Sequence, residues 1–169
     1  MLTYSRSLLV LLISFVLMLS GAISASGQKY NKYSDSYNFR KGMEALDERD
    51  YKKAESAFTS EIKDNSDNGY AYLWLGVIQY GNDEYGKALG SIDNALKYIH
   101  KKDKENRSYC YYKRAGIYRA LEKDDLALSD YTMALSLNPE DDDVLWERAQ
   151  IYYEQEKFDL ADAGKALCA

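Results

Sequence analysis

Small and apolar residues recur along this chain at a spacing of 34 positions. The recurring set is a glycine, a tyrosine, an alanine and a bulky apolar residue: Gly42, Tyr51, Ala54 and Phe58, then Gly76, Tyr85, Ala88 and Ile92. A period of this length is typical of an array of helix-turn-helix units. One such unit is too thin to bury its own apolar face, so neighbouring units must stack. The pattern predicts stacked helix pairs that present a continuous groove.

The spacing within each unit predicts where its helices lie. Tyr51, Ala54, Phe58 and Ile62 form the apolar stripe of an amphipathic helix, and Asp50 is placed to cap its N-terminus. The predicted helices cover residues 37–48, 70–81, 85–99, 108–121, 125–137 and 144–154. Two further helices are predicted to start at residues 51 and 158. The predicted repeats span 35–68, 69–102, 108–141 and an incomplete 142–169, with a polar leader at 28–34 and a charged insertion at 103–107.

The N-terminus has the three-part pattern of a secretory signal peptide. A short segment with one cation, Arg6, precedes an apolar run at residues 8–19 and a small-residue stretch at 20–27. We expect cleavage near residue 27, and the alternative is an uncleaved membrane anchor. The segment 19–22 resembles a bacterial lipobox, but Ala22 stands where the lipid-bearing cysteine would be. These features predict an exported bacterial protein, periplasmic or secreted, with no stable membrane insertion after cleavage.

Composition argues against nucleic-acid binding and against catalysis. The formal net charge is −5, which disfavours a phosphate backbone. His100 is the only histidine, and it lies beside two lysines, so we predict no catalytic residue, no metal site and no cofactor. Cys110 and Cys168 fall in helices of different repeats. Export would favour a disulfide between them, but nothing in their spacing brings them together, and two buried thiols is the alternative.

The units resemble the tetratricopeptide repeat (TPR). The matching residues are Tyr72, Leu75, Gly76, Tyr85, Ala88 and Ala95 in the second unit, Tyr111, Ala115, Tyr118, Ala127, Tyr131, Ala134 and Pro139 in the third, and Leu145, Ala149, Tyr152, Phe158 and Ala161 in the fourth. Asp124 departs from the pattern, which usually has an aromatic there. The resemblance implies an all-α solenoid of about four repeats, a right-handed superhelix, and a non-enzymatic scaffold that binds a protein or peptide segment.

In such arrays the first helix of each repeat lines the concave face. The residues predicted to point outward there and to bind a partner are Phe39, Met43, Tyr70, Trp74, Tyr80, Tyr109, Tyr112, Lys113, Arg119, Trp146 and Tyr153. Tyrosine and tryptophan are common anchors of binding surfaces. The alternative for any one of them is that it packs between helices.

A clamp for a C-terminal carboxylate of the kind some TPR domains carry is not predicted. Phe39, Met43 and Trp74 occupy positions where that clamp needs polar side chains. Two other functions stay open at this point. One is self-assembly through the edge at residues 158–169, where few charges cover the last helix, and the other is glycan binding by the aromatic surface.

Overall fold

The computed structural model of the protein describes residues 31–155, and this part of the chain contains helices and no strand. The helices are α1 (Tyr37–Asp47), α2 (Tyr51–Asp64), α3 (Gly69–Gly81), α4 (Tyr85–Tyr98), α5 (Lys104–Ala120), α6 (Asp124–Leu137) and α7 (Asp142–Glu154). The all-α solenoid fold predicted from the repeat is confirmed. Among the described residues, no helix has the length and apolar character that a membrane span needs.

Two predicted segments lie outside the described residues. They are the signal peptide at 1–27 and the final helix from 158, which includes Cys168 and the proposed assembly edge. Cys110 is a free, fully buried thiol on α5, as expected for a cysteine that packs as a small core residue. Burial raises the pKa of the Cys110 thiol to about 12.

Consecutive helices pack in pairs, and each pair packs on the next. The hairpins are α1–α2, α3–α4 and α5–α6, and they stack through α2–α3, α4–α5 and α6–α7 contacts. The first helices of successive repeats also meet, since α3 contacts α5. We call the face formed by α1, α3, α5 and α7 the groove.

The glycines of the repeat sit where the two helices of a hairpin cross. A Cβ atom added at Gly42 would lie 2.6 Å from the Phe58 ring, and one at Gly76 would lie 2.7 Å from Ile92 Cδ1. The side chains of Phe58 and Ile92 are fully buried against these glycines. The third hairpin has Ala115 at this crossing, also fully buried. The 34-residue spacing therefore reflects a steric requirement for close backbone approach.

All three hairpin corners have the same backbone geometry. Arg49, Asp83 and Glu122 adopt left-handed φ angles of 59°, 60° and 58°. The residue after each of them donates its backbone N–H to a carbonyl five positions back, at 2.8–2.9 Å, which closes the helix end as in a Schellman motif. Asp124 at the start of α6 therefore leaves the third corner unchanged, although the family usually has an aromatic residue there.

The charged insertion is helical, which differs from the prediction that the third unit begins at residue 108. α5 begins at Lys104, and the Asp103 carboxylate caps it by accepting the Asn106 backbone N–H at 3.2 Å. The Arg107 guanidinium donates to the carbonyls of Leu96 and Ile99 at the end of α4, at 2.7 and 3.2 Å. The inserted residues therefore lengthen α5 to 17 residues, against 13 in α3.

Candidate binding groove

The predicted groove residues divide into a buried group and an open group. Phe39 and Tyr70 are 7% and 8% exposed. The Phe39 ring lies 5.8 Å from the Phe58 ring, and the Tyr70 hydroxyl donates to Asp103 Oδ2 at 2.6 Å. Both side chains hold neighbouring helices together and offer little surface to a partner.

A row of aromatic rings crosses the middle of the groove. Successive ring centroids are 6.1 Å apart for Trp74–Tyr109, 6.3 Å for Tyr109–Tyr112 and 6.2 Å for Tyr112–Tyr131. Trp74, Tyr109 and Tyr112 are each partly exposed. Tilted pairs at these distances are favourable arrangements for aromatic rings. The row extends from α3 across α5 to α6, and it presents ring surface to the groove.

Lys113 lies over two rings of this row. Its Nζ is 4.9 Å from the Tyr109 centroid and 4.7 Å from the Tyr112 centroid, within the range of a cation–π interaction. Within residues 31–155 it forms no ion pair with a carboxylate. Burial lowers the pKa of Lys113, and the charges of Asp143 and Glu147 partly oppose that shift. The groove thus contains a partly buried ammonium group that forms no ion pair within residues 31–155.

Arg119, by contrast, is fully engaged by the neighbouring repeat. Its guanidinium donates to Glu147 Oε2 at 3.0 Å and to both Glu154 carboxylate oxygens at 3.0 Å. These charge-assisted bonds join α5 to α7. Arg119 therefore fixes the open end of the groove and has little donor capacity left for a partner.

A cavity of about 330 Å³ lies between α3, α5, α6 and α7, beside the aromatic row. Its wall includes Tyr80, Tyr112, Lys113, Arg119, Tyr131 and Glu147. Gly116 also lines it, and a Cβ added there would lie 3.2 Å from Tyr80 Oη. Because Gly116 has no side chain, α5 leaves space at this point of the wall next to the Tyr80 hydroxyl.

The remaining predicted residues lie at the edges of the groove. Trp146 and Tyr153 on α7 are 50% and 57% exposed, and Met43 on α1 is partly buried. The Tyr80 ring packs 6.1 Å from Tyr85 and borders the cavity. The structure therefore brings Trp74, Tyr109, Tyr112 and Lys113 together. It leaves Trp146 and Tyr153 exposed to solvent and places Phe39 and Met43 apart from this group, on α1.

Sequence reasoning missed four residues of the cavity wall, which are Gly116, Ala120, Tyr131 and Glu147. Tyr131 occupies the repeat position of Phe58 and Ile92, which are fully apolar. A tyrosine hydroxyl at a repeat position that is otherwise apolar could have indicated from the sequence that this position borders a polar cavity. Gly116 follows Ala115, the small residue of the helix crossing, and its separate role became visible only with the Tyr80 contact.

The described residues contain no group of histidine, cysteine, aspartate and glutamate suited to a metal ion. His100 Nδ1 accepts the Lys102 backbone N–H at 3.1 Å, so one ring nitrogen is used by its own turn. The polar groups of the groove suit binding, since hydroxyl and ammonium donors line it.

Residues 39–103, which contain most of the first two hairpins, match the family model of the tetratricopeptide repeat. Together with the helix stacking, this match shows that the described residues have the fold of a tetratricopeptide repeat solenoid. Proteins of this class are typically non-enzymatic protein-interaction modules. The individual relatives have low sequence identity to this chain.

A TPR repeat-containing protein of Methanocaldococcus jannaschii is 28% identical over 123 residues, which are 73% of this chain and 20% of that protein. The chain therefore spans about a fifth of the length of this curated relative. Among solved structures, MamA has a TM-score of 0.70 at 16% identity and covers 89% of each chain. YrrB, described as a TPR protein with an unusual peptide-binding site, has a TM-score of 0.67 at 17% identity, over 83% of this chain and 70% of its own.

Proposed function

We propose that this protein is an exported scaffold without enzymatic activity, which binds a segment of another protein in its groove. The observation that carries the proposal is the partly exposed row Trp74–Tyr109–Tyr112 beside a cavity of about 330 Å³. Large rings with a polar tip supply much contact area for little lost conformational freedom, which is why they dominate binding hot spots.

The shape and charge of the groove favour an extended peptide over other ligands. The aromatic row and the exposed Trp146 are spread over α3, α5 and α7, so an occupant that contacts all of them must be elongated. The net charge of −5 disfavours nucleic acid. YrrB, a TPR protein with an unusual peptide-binding site, is a precedent for peptide binding on this fold.

The test is selection of peptides from a displayed library on the chain lacking residues 1–27. We expect Trp74→Ala and Trp146→Ala each to weaken the selected peptides by about 1–2 kcal/mol or more if they are hot spots. Tyr51→Ala is the matched control, because Tyr51 is 54% exposed on α2, outside the groove. Peptides that bind all three variants equally, or selection of glycans in place of peptides on an array, would contradict the proposal.

Export is the second part of the proposal, and it is supported by the pattern of residues 1–27 alone. We expect mass spectrometry of the protein from its native host to find a mature chain that starts between residues 25 and 29. An intact Met1 on a membrane-bound form would show that this segment is an anchor.

A further inference from the structure

The exposed face of α7 combines two large rings with acidic side chains. Trp146 and Tyr153 are seven positions apart, so they lie on the same side of the helix, and they are 50% and 57% exposed. Asp143 precedes Trp146 by three positions, which places its carboxylate one turn away on that side. Arg148, the one basic residue of α7, follows Trp146 by two positions and therefore lies on the opposite side.

The acidic charge at this end of the groove exceeds the basic charge that opposes it. Glu147 and Glu154 share Arg119 at 3.0 Å, whereas Asp143 is exposed and forms no ion pair within residues 31–155. Lys113 lies over the tyrosine rings, and the charges of Asp143 and Glu147 act on it. Three carboxylates thus face two cations, which leaves this end of the groove negative.

The charge of the surrounding chain has the same sign. Residues 121–155 contain ten acidic residues and two basic ones, a net charge of −8. Residues 65–120 contain six acidic residues and nine basic ones, a net charge of +3. The negative charge is therefore concentrated in the part of the solenoid that contains α6 and α7. A surface of this kind attracts cationic ligands and speeds their association.

We propose that this face of α7 binds an arginine side chain of the partner segment, with the guanidinium stacked on the Trp146 ring and paired with the Asp143 carboxylate. This inference rests on the proposed function and names the chemistry of its partner. Arginine suits the face because its planar cationic group both stacks on aromatic rings and pairs with carboxylates. Tyr153, about two turns further along α7, extends the apolar surface for the rest of the segment.

The experiment uses three degenerate nonapeptide libraries, all N-acetylated and C-amidated, which differ only in a central residue fixed as arginine, citrulline or glutamate. Citrulline has the shape of arginine without its charge. Each library is passed over the immobilised chain lacking residues 1–27. We expect the arginine library to be retained about fivefold more strongly than the citrulline library, as for an exposed cation–π contact combined with an ion pair in solvent. The preference should shrink at about 1 M salt, where the Debye length is about 3 Å.

A pair of matched variants connects that preference to α7. Asp143→Asn should reduce it to about twofold or less, because only the contact with the indole ring is left. The control is Asp125→Asn, since Asp125 is exposed in the first turn of α6, a second helix outside the groove. Both variants remove one negative charge, so an effect of net charge alone would lower the preference equally in both and would overturn the pairing with Asp143. Thermal melts verify that both variants fold.

A fluorescence measurement tests whether this face of α7 is free for a partner. Trp74→Phe leaves Trp146 as the only tryptophan of the chain. We expect acrylamide to quench its emission in the free chain and a retained arginine peptide to protect it. A Trp146 that is already protected in the free chain would show that another segment, such as residues 158–169, covers this face, and would overturn the proposal.

The outcomes separate the inference from the proposed function. Retention that depends on Trp74 but is equal for arginine and citrulline overturns the arginine site and leaves the groove as a binding surface. Strongest retention of the glutamate library overturns the charge assignment. Retention of no library overturns both proposals.

Discussion

The two halves of the groove use the same repeat position in opposite ways. Phe39 and Leu73, in the first two repeats, are 7% and 0% exposed, whereas Tyr112 is partly exposed and Trp146, in the fourth, is 50% exposed. These four residues are equivalent in the repeat register. At this position the first half is closed by core packing, whereas the second half exposes large rings to solvent.

The difference lies in what surrounds that position. In the closed half a crossing glycine brings the partner helix close, so Phe58 packs on Gly42 and Ile92 packs on Gly76. In the open half Ala115 stands at the equivalent crossing, and Gly116 beside it borders a cavity of about 330 Å³. The comparison teaches that the repeat pattern specifies the scaffold, while residues outside the pattern decide which part of the groove is available for binding.

Truncating the equivalent residue in each half gives the largest expected contrast. Phe39→Ala should lower the free energy of unfolding by about 3–5 kcal/mol, because it leaves a cavity against Phe58. Trp146→Ala should lower it by less than about 1 kcal/mol, because half of that side chain is already in solvent. Urea denaturation followed by far-UV circular dichroism measures both. Equal losses would remove the distinction between the halves.

A buried ion pair makes the stability of the open half depend on charged side chains. The Arg114 guanidinium binds both Asp130 oxygens at 2.7 and 2.8 Å and Asp93 at 2.6 Å, and so joins α4, α5 and α6. Arg114→Met should lower the free energy of unfolding by about 3 kcal/mol, since Asp130 stays buried without its partner.

The control for that variant is an exposed ion pair in the closed half. Lys87→Met removes the Lys87–Glu84 pair at 3.1 Å, whose side chains are 67% and 36% exposed. It should cost less than about 1 kcal/mol. A loss at Arg114 no larger than the loss at Lys87 would contradict the structural role of the buried pair.

A glycine pair sharpens the account of the closed half. Gly76→Ala should lower the free energy of unfolding by about 1–3 kcal/mol, because the new Cβ meets the buried Ile92 side chain at 2.7 Å. Gly90→Ala, in α4 with nothing within 4 Å of the new Cβ, should raise it by up to about 1 kcal/mol through helix propensity. Thermal melts of the two variants should shift in opposite directions.

The smallest expected effect on the free energy of unfolding is at the corner of the α5–α6 hairpin, where Glu122 has a φ of 58°. Glu122→Gly should raise the free energy of unfolding by about 0.5–1 kcal/mol, since glycine adopts this conformation without a Cβ clash. Chemical denaturation resolves a change of this size. A loss of stability would show that the Glu122 side chain contributes more than its backbone strain costs.

The sequence contains most of the information about the fold. The 34-residue spacing fixed the hairpins, because Gly42 and Gly76 are needed for the helices to cross. The start of α5 was predicted at residue 108, and it lies at Lys104. The charged run looked like a loop from its polarity, whereas the Asp103 cap and the Arg107 bonds to α4 make it helical.

The candidate site was less accessible from sequence. The repeat register identifies groove positions, but whether Phe39 is buried and Trp146 exposed depends on the helices packed around each of them. The cavity combines side chains from α3, α5, α6 and α7, which no single repeat contains. The residues of the aromatic row were predicted individually, and their continuity follows from how α3 stacks on α5.

The most direct test of the central claim is a map of where a selected peptide touches the chain, by two-dimensional NMR of the labelled protein. The account predicts that the largest shift changes fall on α3, α5 and α7, at Trp74, Lys113 and Trp146, with little change at Phe39 on α1. Changes concentrated on the second helices α2, α4 and α6, or confined to residues 158–169, would contradict it.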